Sequence, residues 1–164
     1  LSSQNAEGST SPEERLASQM RKLGTRTVLY QQHVASSLGL SNTDLKSVDI
    51  LWETGPITAG DLSKITGLAT GTVTALIDRL EKAGYVRREQ DPSDRRRVMI
   101  VPEYFARDEV RETFKPLHDS VVRLGSSYTP EQIELLIDFA AKVSGIMEEQ
   151  IHTLGGGRSK SAAE

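Results

Sequence analysis

Hydrophobic positions along the chain recur mostly at intervals of three and four. Leu16, Met20, Leu23, Thr27, Tyr30 and Val34 lie four and three apart in alternation, the spacing of an amphipathic helix with one narrow seam. Ser11-Pro12-Glu13-Glu14 opens that helix with an N-cap, a proline at the first helical position and a capping-box glutamate, and the pattern ends near Gly39. A second helix carries Leu45, Val48, Leu51 and Trp52, capped by Ser41 with Asp44 and closed by Gly55-Pro56. A third, capped by Thr58 with Asp61, places Ala59, Leu62 and Ile65 on one face and stops at Gly67. A fourth, over residues 69–84, buries the stripe Val73, Leu76, Ile77 and Leu80 and stops at Gly84.

The period then changes. Residues 85–89 and 97–101 are short and rich in strand-forming types, and Gln90-Asp91-Pro92-Ser93-Asp94 between them supplies turn chemistry. The two runs therefore pair as a hairpin over 85–101, with Pro102 stopping the second strand. A helical pattern resumes from about Glu103 through Val110, Phe114, Leu117, Val121 and Leu124, with Pro116 inside it and expected to kink it. Thr129-Pro130-Glu131-Gln132 caps a last helix through Ile133, Leu136, Ala140, Val143 and Met147. Residues 1–10 and 155–164 are small and polar and read as flexible tails.

Short helix, glycine turn and longer helix form a helix-turn-helix, and the hairpin behind it makes a wing. The buried stripe of the fourth helix leaves Thr70, Gly71, Thr72, Thr74, Ala75, Asp78 and Arg79 outward. Small polar residues there let a helix lie close to a nucleic-acid groove. The expected fold is mainly α with a small β-wing. A winged helix-turn-helix lobe over residues 41–102 sits between helices at residues 11–40 and 103–154. Those helices have more apolar seam than the lobe needs, and homodimerisation is the natural use of it.

Charge supports the same reading once its distribution is considered. The chain is net −3, yet residues 79–97 hold seven basic side chains (Arg79, Lys82, Arg87, Arg88, Arg95, Arg96, Arg97) against four acidic ones. A local basic patch on an acidic body is an electrostatic footprint for nucleic acid; the bland alternative is a solvated charged hairpin. Aromatic content of 5% speaks against stacking on single strands. The absence of cysteine excludes a disulfide framework, a thiolate zinc site and a thiol switch. No apolar run approaches a membrane span and no leader is recognisable, so the expected location is the cytoplasm. There is no nucleophile–base set, no phosphate-cradling glycine loop and no metal cluster, so an enzyme is not expected and no cofactor is implied. His33, His118 and His152 fall on three different helices without ligand spacing, and no metal site is assigned.

In order along the chain, Gly55-Pro56, residues 62–68, Thr72-Val73-Thr74, Asp78-Arg79-Leu80-Glu81-Lys82-Ala83-Gly84 and the run from Arg88 to Arg96 resemble the multiple-antibiotic-resistance regulator (MarR) family of winged-helix repressors. The resemblance implies a homodimer with intertwined terminal helices, whose two lobes bind a near-palindromic double-stranded operator. It also implies release by a small aromatic or phenolic ligand bound between lobe and dimer helices, where Tyr30, His33 and Trp52 are candidates. Ordinary core packing is the alternative for Trp52. Two departures stand out. Thr70 and Ala75 occupy positions where members often carry basic residues, so the wing is expected to carry more of the affinity. Val101-Pro102-Glu103-Tyr104 replaces the usual Leu-Thr and later Gly.

The candidate DNA-binding set is Thr70, Gly71, Thr72, Thr74, Ala75, Arg79, Arg87, Arg88, Arg95, Arg96 and Arg97. Arg95 and Arg96 are expected at the wing tip, entering a minor groove, one held by Asp91 or Asp94 and the other free. Arg87, Arg88 and Arg97 suit phosphates. Asp78 and Glu81 are expected to face away from DNA or to pair with Arg79 and Lys82. A winged-helix protein-interaction module that does not read DNA is the competing function; it would have no need of an exposed arginine wing.

Overall fold

The computed structural model describes residues 11–104 and 107–156. Its elements are α1 (Pro12–Ser37), α2 (Asn42–Thr54), β1 (Ile57–Thr58), α3 (Ala59–Thr66), α4 (Thr70–Lys82), β2 (Val86–Gln90), β3 (Val98–Pro102), α5 (Asp108–Gly125) and α6 (Pro130–Gly156). The sequence caps act where they stand. Ser11 with Glu14 and Ser41 with Asp44 each close a reciprocal capping box. Thr129 and Gln132 exchange the equivalent bonds at the start of α6. Each satisfies donors that a helix start leaves orphaned.

One core serves the lobe. Leu45, Val48 and Leu51 of α2, Leu62 of α3, and Val73, Leu76, Ile77 and Leu80 of α4 are all buried, together with Val86 and Ile100 of the wing. Gly67, in left-handed conformation at φ 70°, ends α3 and donates to Ser63 O at 2.9 Å. The Ser63 hydroxyl donates to Leu68 O at 2.6 Å. These bonds set the turn that swings α4 across α3.

Several details depart from the sequence reading. The wing is a three-stranded antiparallel sheet in the order β1-β3-β2, with Ile57 opposite Ile100 and Thr58 opposite Met99. Two residues are too few to show a period. Pro102 stops β3 as expected, but as its last residue, paired with Val86; a proline is tolerated at a strand terminus. The fifth helix begins at Asp108 and not near Glu103, because Tyr104 turns inward and is fully buried. Helix α5 runs through Pro116 as one assigned helix. Helix α6 includes Gly155 and Gly156, both expected in a tail; the expected tails over residues 1–10 and 157–164 lie outside the described residues. Ile65 does not share the buried face of Leu62 and is 49% exposed.

Candidate nucleic-acid interface

Helix α4 presents the expected outer face. Thr70, Gly71, Thr72, Thr74, Ala75, Asp78 and Arg79 are exposed, while the four apolar residues behind them are buried. The helix starts without a side-chain cap at Ala69, so its first N–H groups remain open to an external acceptor such as a phosphate. Thr74 donates its hydroxyl to Thr70 O at 3.0 Å, which leaves its methyl as the group it can offer to a base. Thr72 spends no hydroxyl bond of this kind among the described residues.

The wing tip is built by its two aspartates. Asp91 accepts at one carboxylate oxygen from the Ser93 backbone N–H at 2.8 Å and from the Ser93 hydroxyl at 2.6 Å, and these bonds hold its carboxyl below the usual range. Asp94 accepts from the Arg96 backbone N–H at 3.0 Å. Backbone bonds from Asp91 N to Arg97 O and from Arg97 N to Asp94 O close the loop. Asp91 also lies 3.6 Å from the Arg97 guanidinium. The expectation that an aspartate side chain would hold Arg95 or Arg96 is therefore corrected: the aspartate partner is Arg97, and Asp94 binds backbone.

The other arginines are strongly compensated. Arg87 reaches both Glu89 and Glu103, the latter at 2.5 Å, and Arg88 lies between Asp78, at 2.5 Å, and Glu81. Glu81 additionally accepts from the Arg88 backbone N–H at 3.0 Å. The hydrogen bonds that Arg87 donates to Glu89 and Glu103 raise its pKa, and the one that Arg88 donates to Asp78 leads the rise for Arg88. Arg79 donates to Asp44 at 2.7 Å. Asp78 and Glu81 thus pair with Arg88 and not with Arg79 or Lys82. Among the described residues Lys82, Arg95 and Arg96 make no ion pair, so the uncompensated positive charge of residues 79–97 lies at the wing tip and the end of α4.

The candidate ligand residues differ in their surroundings within the single chain. Tyr30 stacks edge-on against Phe114 at 6.3 Å, whereas His33 is exposed and Trp52 is 57% exposed in the single chain, which also removes its core-packing alternative. A concavity of about 210 Å³ is lined by Asn42, Thr43, Lys46, Ser47, Thr66 and Leu68, and one of about 120 Å³ lies between α1 and α2; neither includes Tyr30, His33 or Trp52. What the sequence did not reveal is an aromatic chain beneath α1. Tyr104 packs on Phe114 at 6.2 Å and on Tyr85 at 5.7 Å. Burial pushes the Tyr104 phenol well up, and nearby Asp49 adds to that shift. Burial likewise raises the Asp49 carboxyl, to about 6. No group of three or more potential metal-ligating side chains occurs among the described residues, and no helix among them is long and apolar enough to cross a membrane.

Residues 40–98, from just before α2 to the start of β3, match the model of the MarR family. The chain is 58% identical over 134 residues to the uncharacterized HTH-type transcriptional regulator YcgE of Bacillus subtilis, covering 82% of this chain and 87% of that protein. Among solved structures, the transcriptional regulator Tm0710 of Thermotoga maritima superposes with a TM-score of 0.58 at 25% identity, over 85% of this chain and 96% of its own. A MarR family protein of Bacillus stearothermophilus shares the fold, with a TM-score of 0.62 at 22% identity over 82% and 94% of the two chains. An outward-facing helix in a helix-turn-helix, a wing with bare arginines at its tip and this close relative lead to one assignment: the chain belongs to the MarR family of winged helix-turn-helix, DNA-binding transcriptional regulators.

Proposed function

We propose that two copies of this chain bind one near-palindromic operator in double-stranded DNA and repress transcription from it in the cytoplasm. The observation that carries the dimer is the unpartnered apolar surface of the terminal helices. Leu16 and Leu23 on α1, Leu117, Val121 and Leu124 on α5, and Leu136, Met147 and Leu154 on α6 are all exposed in the single chain. A surface of that extent marks an interaction site, and helices on both sides of the lobe in sequence suit a two-fold assembly that carries two reading heads. Helix α4 is the reading element, Arg95 and Arg96 are the minor-groove contacts, and Asp91 and Asp94 orient the wing. Arg87 and Arg97 lie along the phosphate side, and Arg88 fixes the wing against the reading helix. Release by a small aromatic or phenolic effector completes the reading. The resemblance to the family supports that class of ligand.

The test is sedimentation combined with a gel shift on the DNA upstream of the protein's own coding region. The full chain is expected to sediment as a dimer and to shift that DNA, and phenols or aromatic carboxylates to release it. Removing residues 129–154 is expected to expose the remaining seams and abolish both solubility and binding. A soluble, monomeric, DNA-binding truncation contradicts the dimer, and a reporter activated by the bound protein contradicts repression.

A further inference from the structure

We infer that Tyr85 is a positioning residue that sets the angle between the DNA-reading lobe and the terminal helices, and through it the half-site spacing the protein accepts. The inference rests on the dimeric reading above and adds to it a specificity-determining residue. The chain passes between lobe and terminal helices at two places, residues 38–41 between α1 and α2 and residues 103–107 between β3 and α5. Both meet at Tyr85, the buried residue that joins the reading helix to the wing. Its backbone N–H donates to Leu80 O of α4 at 2.8 Å, and its carbonyl accepts from Glu103 N at 2.9 Å. Its phenol lies 3.2 Å from Leu38 O at the end of α1 and 3.3 Å from Glu109 Oε1 in the first turn of α5.

A phenol has a single hydrogen to donate. Facing two acceptors, it is shared between the end of α1 and the start of α5, so a movement that favours one loosens the other. The ring itself is clamped. Arg107 lies over it at 4.7 Å, a cation–π contact. The same guanidinium donates to Ala83 O at 2.6 Å and to Glu109 at 2.9 Å. Gly84 makes room for this: at φ 76°, a Cβ there would sit 2.9 Å from Arg107 Nη1. Thus one residue ties the reading helix and the β3–α5 link through its backbone, and the end of α1 and the start of α5 through its side chain. A tilt of about 10° at such a junction, over a lever of roughly 20 Å, moves the reading helix by ~3.5 Å, about one base-pair rise.

The test measures spacing tolerance. Wild type, Tyr85→Phe and Glu109→Ala are titrated on an operator selected from random DNA, and on copies with one base pair inserted or deleted between the half-sites. Tyr85→Phe keeps the ring under Arg107 and loses the phenol bonds. Glu109→Ala removes one acceptor at the surface, and so remains informative if the tyrosine variant folds poorly. Both are expected to lower the preference for native over altered spacing by about three- to tenfold, the worth of a hydrogen bond, with the dimer intact in sedimentation. Arg96→Ala is expected to weaken all three DNAs equally. An intact dimer with undiminished spacing preference in both variants overturns the inference alone. A wild type that is monomeric, or indifferent to spacing, overturns the dimeric reading and the inference with it.

Discussion

Asp44 and Arg79 are 35 residues apart in sequence and 2.7 Å apart in the fold. Asp44 is nearly buried and uses its other oxygen to accept from Ser41 N at the head of α2, while Arg79 stands on the outer face of the reading helix, 58% exposed along its side chain. The pair braces the start of α2 against the second half of α4. A buried carboxylate needs its partners, and losing one costs more than an exposed ion pair would. Arg79→Ala is therefore expected to destabilise the lobe by about 1–2 kcal/mol in denaturant unfolding. Its charge is already compensated, so the salt dependence of DNA binding should hardly change. A loss of a full unit of salt slope without loss of stability would make Arg79 a phosphate contact and not a brace.

The uncompensated arginines should behave oppositely. Arg96→Ala is expected to weaken binding to operator and scrambled DNA alike, and to flatten log affinity against log salt by about one unit, with stability unchanged. Arg95→Ala should act in the same direction. Titrations at several salt concentrations check this; an unchanged slope in both variants would take the wing tip off the DNA.

Arg88 is expected to act through geometry. Its guanidinium joins β2 to Asp78 and Glu81 on α4, which fixes the wing against the reading helix. Arg88→Ala should lower operator affinity while leaving the salt slope nearly that of wild type, and Arg88→Lys should recover little, since an ammonium cannot span both carboxylates in a fork. Full recovery by lysine would argue for a simple point charge.

Thr72 and Thr74 should divide on the reading helix. Because the Thr74 hydroxyl already serves Thr70 O, its contribution to base choice is the methyl group, and Thr74→Val should preserve operator preference where Thr74→Ser loses it. Thr72→Ala should shift preference at one position by roughly 1–3 kcal/mol. Binding to a panel of single-base operator variants gives the answer, and identical profiles for all three substitutions would remove these residues from readout.

Asp49 makes stability depend on pH in an unusual direction. Its carboxyl is raised to about 6 by burial, so the folded state holds a proton that the unfolded chain has released. Stability is then greatest below the ordinary aspartate range of about 4 and declines as pH rises through about 6. The group is only partly buried, and solvent screening reduces the effect to roughly 1 kcal/mol. Asp49→Asn should remove this decline, so that its advantage over wild type grows between pH 4 and pH 7. Parallel profiles would show that the carboxyl is solvated.

Much of the architecture was legible from local pattern. Caps at Ser11, Ser41, Thr58 and Thr129 and the stripe Val73, Leu76, Ile77 and Leu80 act over three or four residues, within the reach of sequence periodicity. The faces of Ile65 and Trp52 were not, since a helical period locates a stripe but not the neighbour that covers it. Nor was Tyr104, an isolated aromatic in an aperiodic link that packs on Phe114 of α5 and on Tyr85.

The sequence by itself determined the reading head: where the helix-turn-helix begins, which residues face outward on α4, and where the arginines gather on the wing. Only the tertiary structure decided which of those arginines keep their charge available. Asp44, Asp78, Glu81 and Glu103 approach Arg79, Arg88 and Arg87 across separations that depend on how α2, α4 and the sheet pack, while Arg95 and Arg96 make no ion pair among the described residues. Helical caps and stripes are decided by neighbours along the chain, whereas the pairs made by Arg79 and Arg88 are decided by neighbours in space.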